Sequence, residues 1–134
     1  MVTAQAETQT LQTSQDVVLV RQMVRQKTTD LGFSLIGQTK LVTAASELAR
    51  NTLEHGRGGR VLIETVQNGH RSGLRLVFED SGPGIPDLHQ ALSDGYTTGT
   101  GLGLGLGGSR RLVDEFEIDS HVGQGTRVTI VGWK

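Results

Sequence analysis

Seven glycines fall between Gly95 and Gly108 of a 134-residue chain. Glycine gives up more backbone entropy on folding than any other residue, so a run this dense needs a reason. Leucine alternates with it through Gly101-Leu102-Gly103-Leu104-Gly105; such side chains can dip into a core and hold the run down. Exposed N–H groups on a glycine run beside a helix N-terminus make an anion site, and phosphate is the natural guest. A Walker A loop is excluded, because no Lys-Ser/Thr follows the last glycine. A dinucleotide fingerprint matches as Gly103-x-Gly105-x-x-Gly108, but Ser93–Thr100, which precedes it, is not strand-like. A lid over the phosphates of ATP and a plain flexible linker complete the alternatives.

The rest of the chain reads as one domain, 1–134. Thirteen basic and fourteen acidic residues give a net charge of -1, which excludes a field that would draw in nucleic acid or an acidic membrane. Cysteine is absent, so disulfides, a thiolate nucleophile and a cysteine zinc site are excluded. No apolar run approaches the ~20 residues of a membrane span, and the N-terminus lacks a basic-then-apolar signal pattern; a cytoplasmic protein is expected. The four histidines show no metal-ligand spacing, and His55 reads as a helix-dipole partner. Trp133 reads as packing.

Thr8–Thr13 suits an edge strand. Ser14 caps a helix with Val17, Val20 and Val24 at helical spacing, stopped by Gly32. A second helix runs from about Gln38 to His55. Arg60–Gln67 and Leu74–Asp80 read as a hairpin turning at Asn68-Gly69 and its neighbours. Asp87–Ser93 suits a short helix and Ser109–Glu115 a third main one. Phe116–His121 and Thr126–Trp133 close the chain as paired strands. The order predicts an α+β two-layer sandwich, with a mixed, mostly antiparallel sheet covered on one face by helices.

Two further constellations carry chemistry. Glu47 and Asn51 lie four apart and share a helix face with Ala44, whose small side chain leaves room for a ligand. A carboxylate and an amide oxygen one turn apart suit Mg²⁺ and its waters, or a proton acceptor; a solvated polar face reads equally from the pair. Asp80 ends a strand whose Leu74, Leu76 and Phe78 alternate onto its own side. A carboxylate on an apolar face needs a donor, such as the exocyclic amine of adenine, or else it turns the chain by accepting backbone N–H groups.

Taken in order, Glu47-Leu-Ala-Arg-Asn51, Asp80-Ser-Gly-Pro-Gly84 and Gly99-Thr-Gly-Leu-Gly-Leu-Gly105 resemble the N box and two glycine boxes of the GHKL (Bergerat) ATP-binding family, which includes gyrase, Hsp90, histidine kinases and MutL. The segments SELARNTLEHG, FEDSGPGIPD and GLGLGLGGSRRLVDEFEIDS are most similar to the RsbT-like serine/threonine kinases of the bacterial stressosome.

This resemblance implies that Asn51 coordinates Mg²⁺ and that Glu47 orients or deprotonates the attacking hydroxyl. Asp80 would hold the adenine amine, and Gly82 and Gly84 would shape its pocket. Gly101, Gly103 and Gly105 would cradle phosphates, with Leu102 and Leu104 in the same loop and Thr98 and Thr100 assisting. The implied substrates are STAS-domain scaffold proteins, with a PP2C-type phosphatase as the partner activated afterwards. The alternative is an anti-sigma factor of the SpoIIAB/RsbW type, and a third reading is an ATPase with no protein substrate. Asp94–Ser109 holds no Lys or Arg, so transition-state charge would fall to Mg²⁺, backbone N–H groups, Arg110, Arg111 or a partner.

Overall fold

Alternating side chains and two amphipathic helices assemble into two layers in a computed structural model, which describes residues 1–92 and 106–134. The chain runs β1 (Val2–Leu11), α1 (Ser14–Leu31), α2 (Leu35–Glu54), β2 (Gly59–Asn68), β3 (Arg71–Asp80), α3 (Leu88–Ala91), α4 (Leu106–Leu112), β4 (Glu115–His121) and β5 (Gly125–Trp133). The sheet order is β1-β2-β3-β5-β4. Every pairing among the described residues is antiparallel, so the expected parallel component is absent there. The two helices after β1 return the chain alongside it in the opposite sense, as a hairpin would.

Local chemistry sets the helix ends. Thr13, one residue before the expected cap, accepts from the Asp16 N–H, and the Asp16 carboxylate accepts from the N–H groups of Gln12 and Thr13. This is a reciprocal capping box. It holds the Asp16 carboxyl below its ordinary pKa, chiefly through the Gln12 N–H. Gly32 closes α1 in the left-handed region. Within the expected turn the two loop residues are Gly69 and His70, since Asn68 pairs with Arg71. Gly69 takes positive φ and His70 does not, the signature of a type II′ turn.

One sheet face meets the helices. Val61, Ile63, Leu74, Leu76, Phe78, Val128 and Ile130 join Val20 and Val24 of α1 and Leu41, Ala45 and Leu48 of α2 in one core. Lys27 on α1 reaches Glu7 on β1 at 2.7 Å, tying the edge strand to the helical layer. The opposite face carries Glu64, Arg75, Glu117 and Arg127. There Arg75 grips Glu64 in a fork of 2.8 and 3.0 Å. The third main helix starts at Leu106, earlier than expected, and Glu115 belongs to β4. Buried Leu106, Gly107 and Ser109 seat it against α2, so packing outweighs the poor helix propensity of Gly107 and Gly108.

Candidate functional site

The site forms where the C-terminal half of α2 meets the end of β3. Glu47 and Asn51 do share a helix face. Glu47 Oε1 accepts from Arg50 Nη1 at 3.1 Å, an ion pair along the helix surface. Ala44 differs from expectation: it is wholly buried in the core, so its small side chain serves close packing rather than ligand space.

Strand alternation places Asp80 on the side of Phe78, and register sets it opposite Gly59 on β2 and Thr126 on β5. The turn reading of Asp80 is observed. Its Oδ1 accepts the Gly82 N–H at 2.9 Å and turns the chain. Among the described residues Oδ2 accepts no hydrogen bond. This half-buried carboxylate lines a small cavity of ≈ 20 Å³ with Leu48, Phe78, Ile85, Leu106 and Val128 as apolar walls. Asn51, Thr52, His55 and Thr126 complete the lining. A larger cavity of ≈ 750 Å³ lies beyond Gly56 and Gly82, with Arg57, Arg60 and Glu79 on its walls. Glycines and polar side chains dominate its lining, whereas apolar side chains line the small cavity, whose ≈ 20 Å³ holds about one water and would have to widen to admit a base; Asp80 borders both.

The loop after Asp80 is held by close fits. A Cβ on Gly82 would stand 2.6 Å from the Gly56 carbonyl oxygen, and Gly84 has φ +77. The Gly123 N–H donates to Pro83 O at 2.8 Å. The Ile85 N–H donates to Ser120 Oγ at 2.8 Å. His55 Nε2 lies 3.2 Å from Gly84 O. A carbonyl only accepts, so this bond places the proton on Nε2. His55 is thus a clasp between α2 and the loop, beyond its place at the helix end.

Several neighbours escaped the sequence reading. Thr126 faces Asp80 only through strand register, and its hydroxyl bonds that of Ser120 at 2.8 Å. Gly56 reads locally as a helix stop, yet a side chain there would overlap the Asp80 carboxylate. The apolar alternation of β3 already pointed to Phe78. Thr98, Thr100, Gly101, Leu102, Gly103, Leu104 and Gly105 lie outside the described residues. No cluster of metal-ligating side chains occurs among the described residues. Nor is any described helix long and apolar enough to cross a membrane.

The profile of the histidine kinase-, DNA gyrase B- and HSP90-like ATPases matches residues 36–132, from the start of α2 almost to the end of β5. The chain belongs to this ATPase family. Within the family it is 42% identical to the serine/threonine-protein kinase RsbT of Bacillus subtilis (strain 168), over 92% of each chain. It therefore groups with the RsbT-like serine/threonine kinases. An anti-sigma F factor of Clostridium novyi is 30% identical over 67% of this chain and 66% of its own length.

Solved structures agree on the fold of this ATPase. The RsbU and RsbW domains of a Mycobacterium tuberculosis protein superpose with TM-score 0.64 at 18% identity, covering 98% of this chain and 33% of that one. The catalytic domain of the histidine kinase ThkA gives 0.53 at 16% identity, covering 96% and 98%.

Proposed function

We propose that this serine/threonine kinase transfers the γ-phosphoryl group of ATP to a hydroxyl of a STAS-domain scaffold protein, then exchanges partners to activate a PP2C-type phosphatase. The observation that carries the nucleotide reading is Asp80. Its Oδ2, which accepts no hydrogen bond from the described residues, stands at the end of an apolar-walled cavity directly beside the helix bearing Glu47 and Asn51. The chemistry of the lining suits adenine once the walls part to admit it: apolar side chains for the ring faces and one acceptor for its exocyclic amine.

Residue roles follow from chemistry. Asp80 accepts from the adenine amine, while Gly82 and Gly84 let the loop backbone approach the base. Glu47, partly exposed and steered by Arg50, orients the acceptor hydroxyl and takes its proton. The hydroxyl oxygen bonds to the γ-phosphorus as the bond to the bridging oxygen breaks, releasing ADP. Mg²⁺, when bound, neutralises charge on the transferring phosphoryl group, and the Asn51 amide oxygen is the acceptor suited to holding it. Gly101, Gly103 and Gly105 present backbone N–H groups to the phosphates, with Leu102 and Leu104 in the same loop and Thr98 and Thr100 adding hydroxyls. Arg110 and Arg111, at the end of α4, are the nearest cations in sequence to that loop.

The test is phosphotransfer. The purified chain is mixed with Mg-ATP and a STAS-domain protein encoded beside it, and intact mass is read for one added phosphate. Gain on the scaffold that disappears with Asn51→Ala supports the reading. No gain with ATP bound refutes this substrate and turns attention to sigma-factor capture. That second reading is favoured by the anti-sigma F relatives.

A further inference from the structure

The two edges of the sheet are built differently. β4 closes one edge with seven residues, and Glu115, Glu117 and Asp119 alternate along it. Those carboxylates repel a second strand of the same kind. β1 forms the other edge without such a guard. It is ten residues long, and eight of them are exposed. It holds no proline or lysine, and Glu7 is its one ionisable side chain. Lys27 of α1 takes that charge at 2.7 Å. The register with β2 shifts once, between Thr3 and Gln5, and runs regularly from Gln5 to Leu11. A long, regular, weakly charged edge is a template for another strand.

The strand that fits this edge is β1 itself. Thr8 is the midpoint of Gln5–Leu11. Antiparallel pairing of two copies about Thr8 uses the whole regular run. It sets Glu7 opposite Gln9 and Ala6 opposite Thr10, so no like charges meet. Glu7 lies on the helical side, opposite core residue Ile63, and alternation puts Ala6, Thr8 and Thr10 on the other. The helical layer continues the same seam. Leu19, Met23 and Lys27 form an i, i+4, i+8 ridge along the flank of α1 that reaches Glu7. Leu19 is 37% exposed, and Met23 is partly buried.

We propose that two copies of this chain pair antiparallel through β1 about Thr8. Their sheets join into one, and the Leu19–Met23 ridges of the two α1 helices face each other across the seam. The pairing uses the open edge of each copy while the β4 carboxylates guard the other, so assembly closes at two. β3, which carries Asp80, is the third strand from the seam. The candidate site therefore stays open in both copies, and nothing in the pairing depends on the identity of the kinase substrate.

The chain has no cysteine, so single cysteines can map the pairing. Residues directly opposite in an antiparallel pair have Cα atoms about 4.5–5.5 Å apart, within reach of a disulfide. Under mild oxidation Thr8→Cys should link to itself at least about tenfold faster than Ala6→Cys, which faces Thr10 of the other copy. Ala6→Cys mixed with Thr10→Cys should link readily. In sedimentation velocity the unmodified protein should move from monomer toward twice that mass as concentration rises, and no further. Ala6→Lys with Thr10→Lys sets like charges opposite each other and should weaken dimerisation about tenfold or more. Ala6→Lys with Thr10→Glu should restore it. Within one copy these positions are four residues apart on a strand, about 13 Å, so the rescue reports the second copy.

A mass that stays monomeric at every concentration, or Thr8→Cys linking no faster than Ala6→Cys, overturns the pairing and leaves the edge to a strand of another protein. Assembly beyond two copies overturns the closure at β1. Equal dimerisation by the Lys/Lys and Lys/Glu variants overturns the register about Thr8. Ala6, Thr8 and Thr10 are exposed, and if a lysine variant fails to fold, the cysteine variants decide by themselves.

Discussion

Asp80→Asn separates the two tasks of one carboxylate. The substituted amide keeps an oxygen that can accept the Gly82 N–H, now bonded at 2.9 Å, so the turn survives. What is lost is the charge and the free acceptor at the cavity mouth. A hydrogen bond to a charged group contributes about 1.5–3 kcal/mol, so ATP affinity should fall about 10- to 150-fold. Stability should move by less than about 1 kcal/mol, because the turn bond remains and no cavity is created. Calorimetric titration with ADP at fixed Mg²⁺ gives the affinity, and guanidinium unfolding gives the stability. Asp80→Ala is the comparison: it removes the turn acceptor as well and should cost a further ~1 kcal/mol of stability. An Asp80→Asn protein that is folded and binds ADP within about threefold of wild type would falsify the adenine role.

Arg75→Met leaves the largely enclosed Glu64 carboxylate without its guanidinium and should destabilise the fold by about 2 kcal/mol near neutral pH. The Arg75 hydrogen bond holds the Glu64 carboxyl below its ordinary pKa against the opposing effect of burial. Its stabilisation is therefore present above the ordinary carboxylate range and lost as pH falls through the lowered value. The gap between wild type and variant, read by denaturant unfolding, should narrow from about pH 6 down to about pH 3; a gap independent of pH contradicts the assignment. Gly82→Ala forces a Cβ to 2.6 Å from Gly56 O. It should lower both melting temperature and ATP affinity, at a cost of about 1–3 kcal/mol to the fold, whereas unchanged nucleotide binding would detach this contact from the site. Ser109 is 1% exposed and its hydroxyl has no hydrogen-bond partner among the described residues. Ser109→Ala should leave stability unchanged or raise it by up to about 1 kcal/mol, and a fall in the unfolding midpoint would reveal a bond that the static arrangement lacks.

Local patterns made much of this chain legible before any coordinates. Helical spacing of Val17, Val20 and Val24 identified the buried face of α1, and Gly32 marked its end. The alternation Leu74, Leu76, Phe78 put Asp80 on the core side of β3, and the three boxes together pointed to the ATPase family. These signals survive because periodicity and capping depend on residues within a turn or two of each other. The same locality explains the slips. Ala44 shares a helix face with Glu47 and Asn51 by spacing alone, but only the neighbours packed on α2 decide that it is buried.

Tertiary structure decided the rest. Thr126 reaches Asp80 through a register between strands 46 positions apart in sequence, and no short-range pattern encodes that pairing. Gly56 and His55 close one helix, yet their second neighbours, Asp80 at the end of β3 and Gly84 in the loop after it, are brought back by the β2–β3 hairpin. The groove lined by Phe33, Lys40, Asp114 and Trp133 likewise joins α2, the end of α4 and the end of β5. Residue order sets which side chains each element can present. Their distances across elements arise from packing many long-range contacts at once, where a one-residue slip in register would turn every side chain of a strand to the other face.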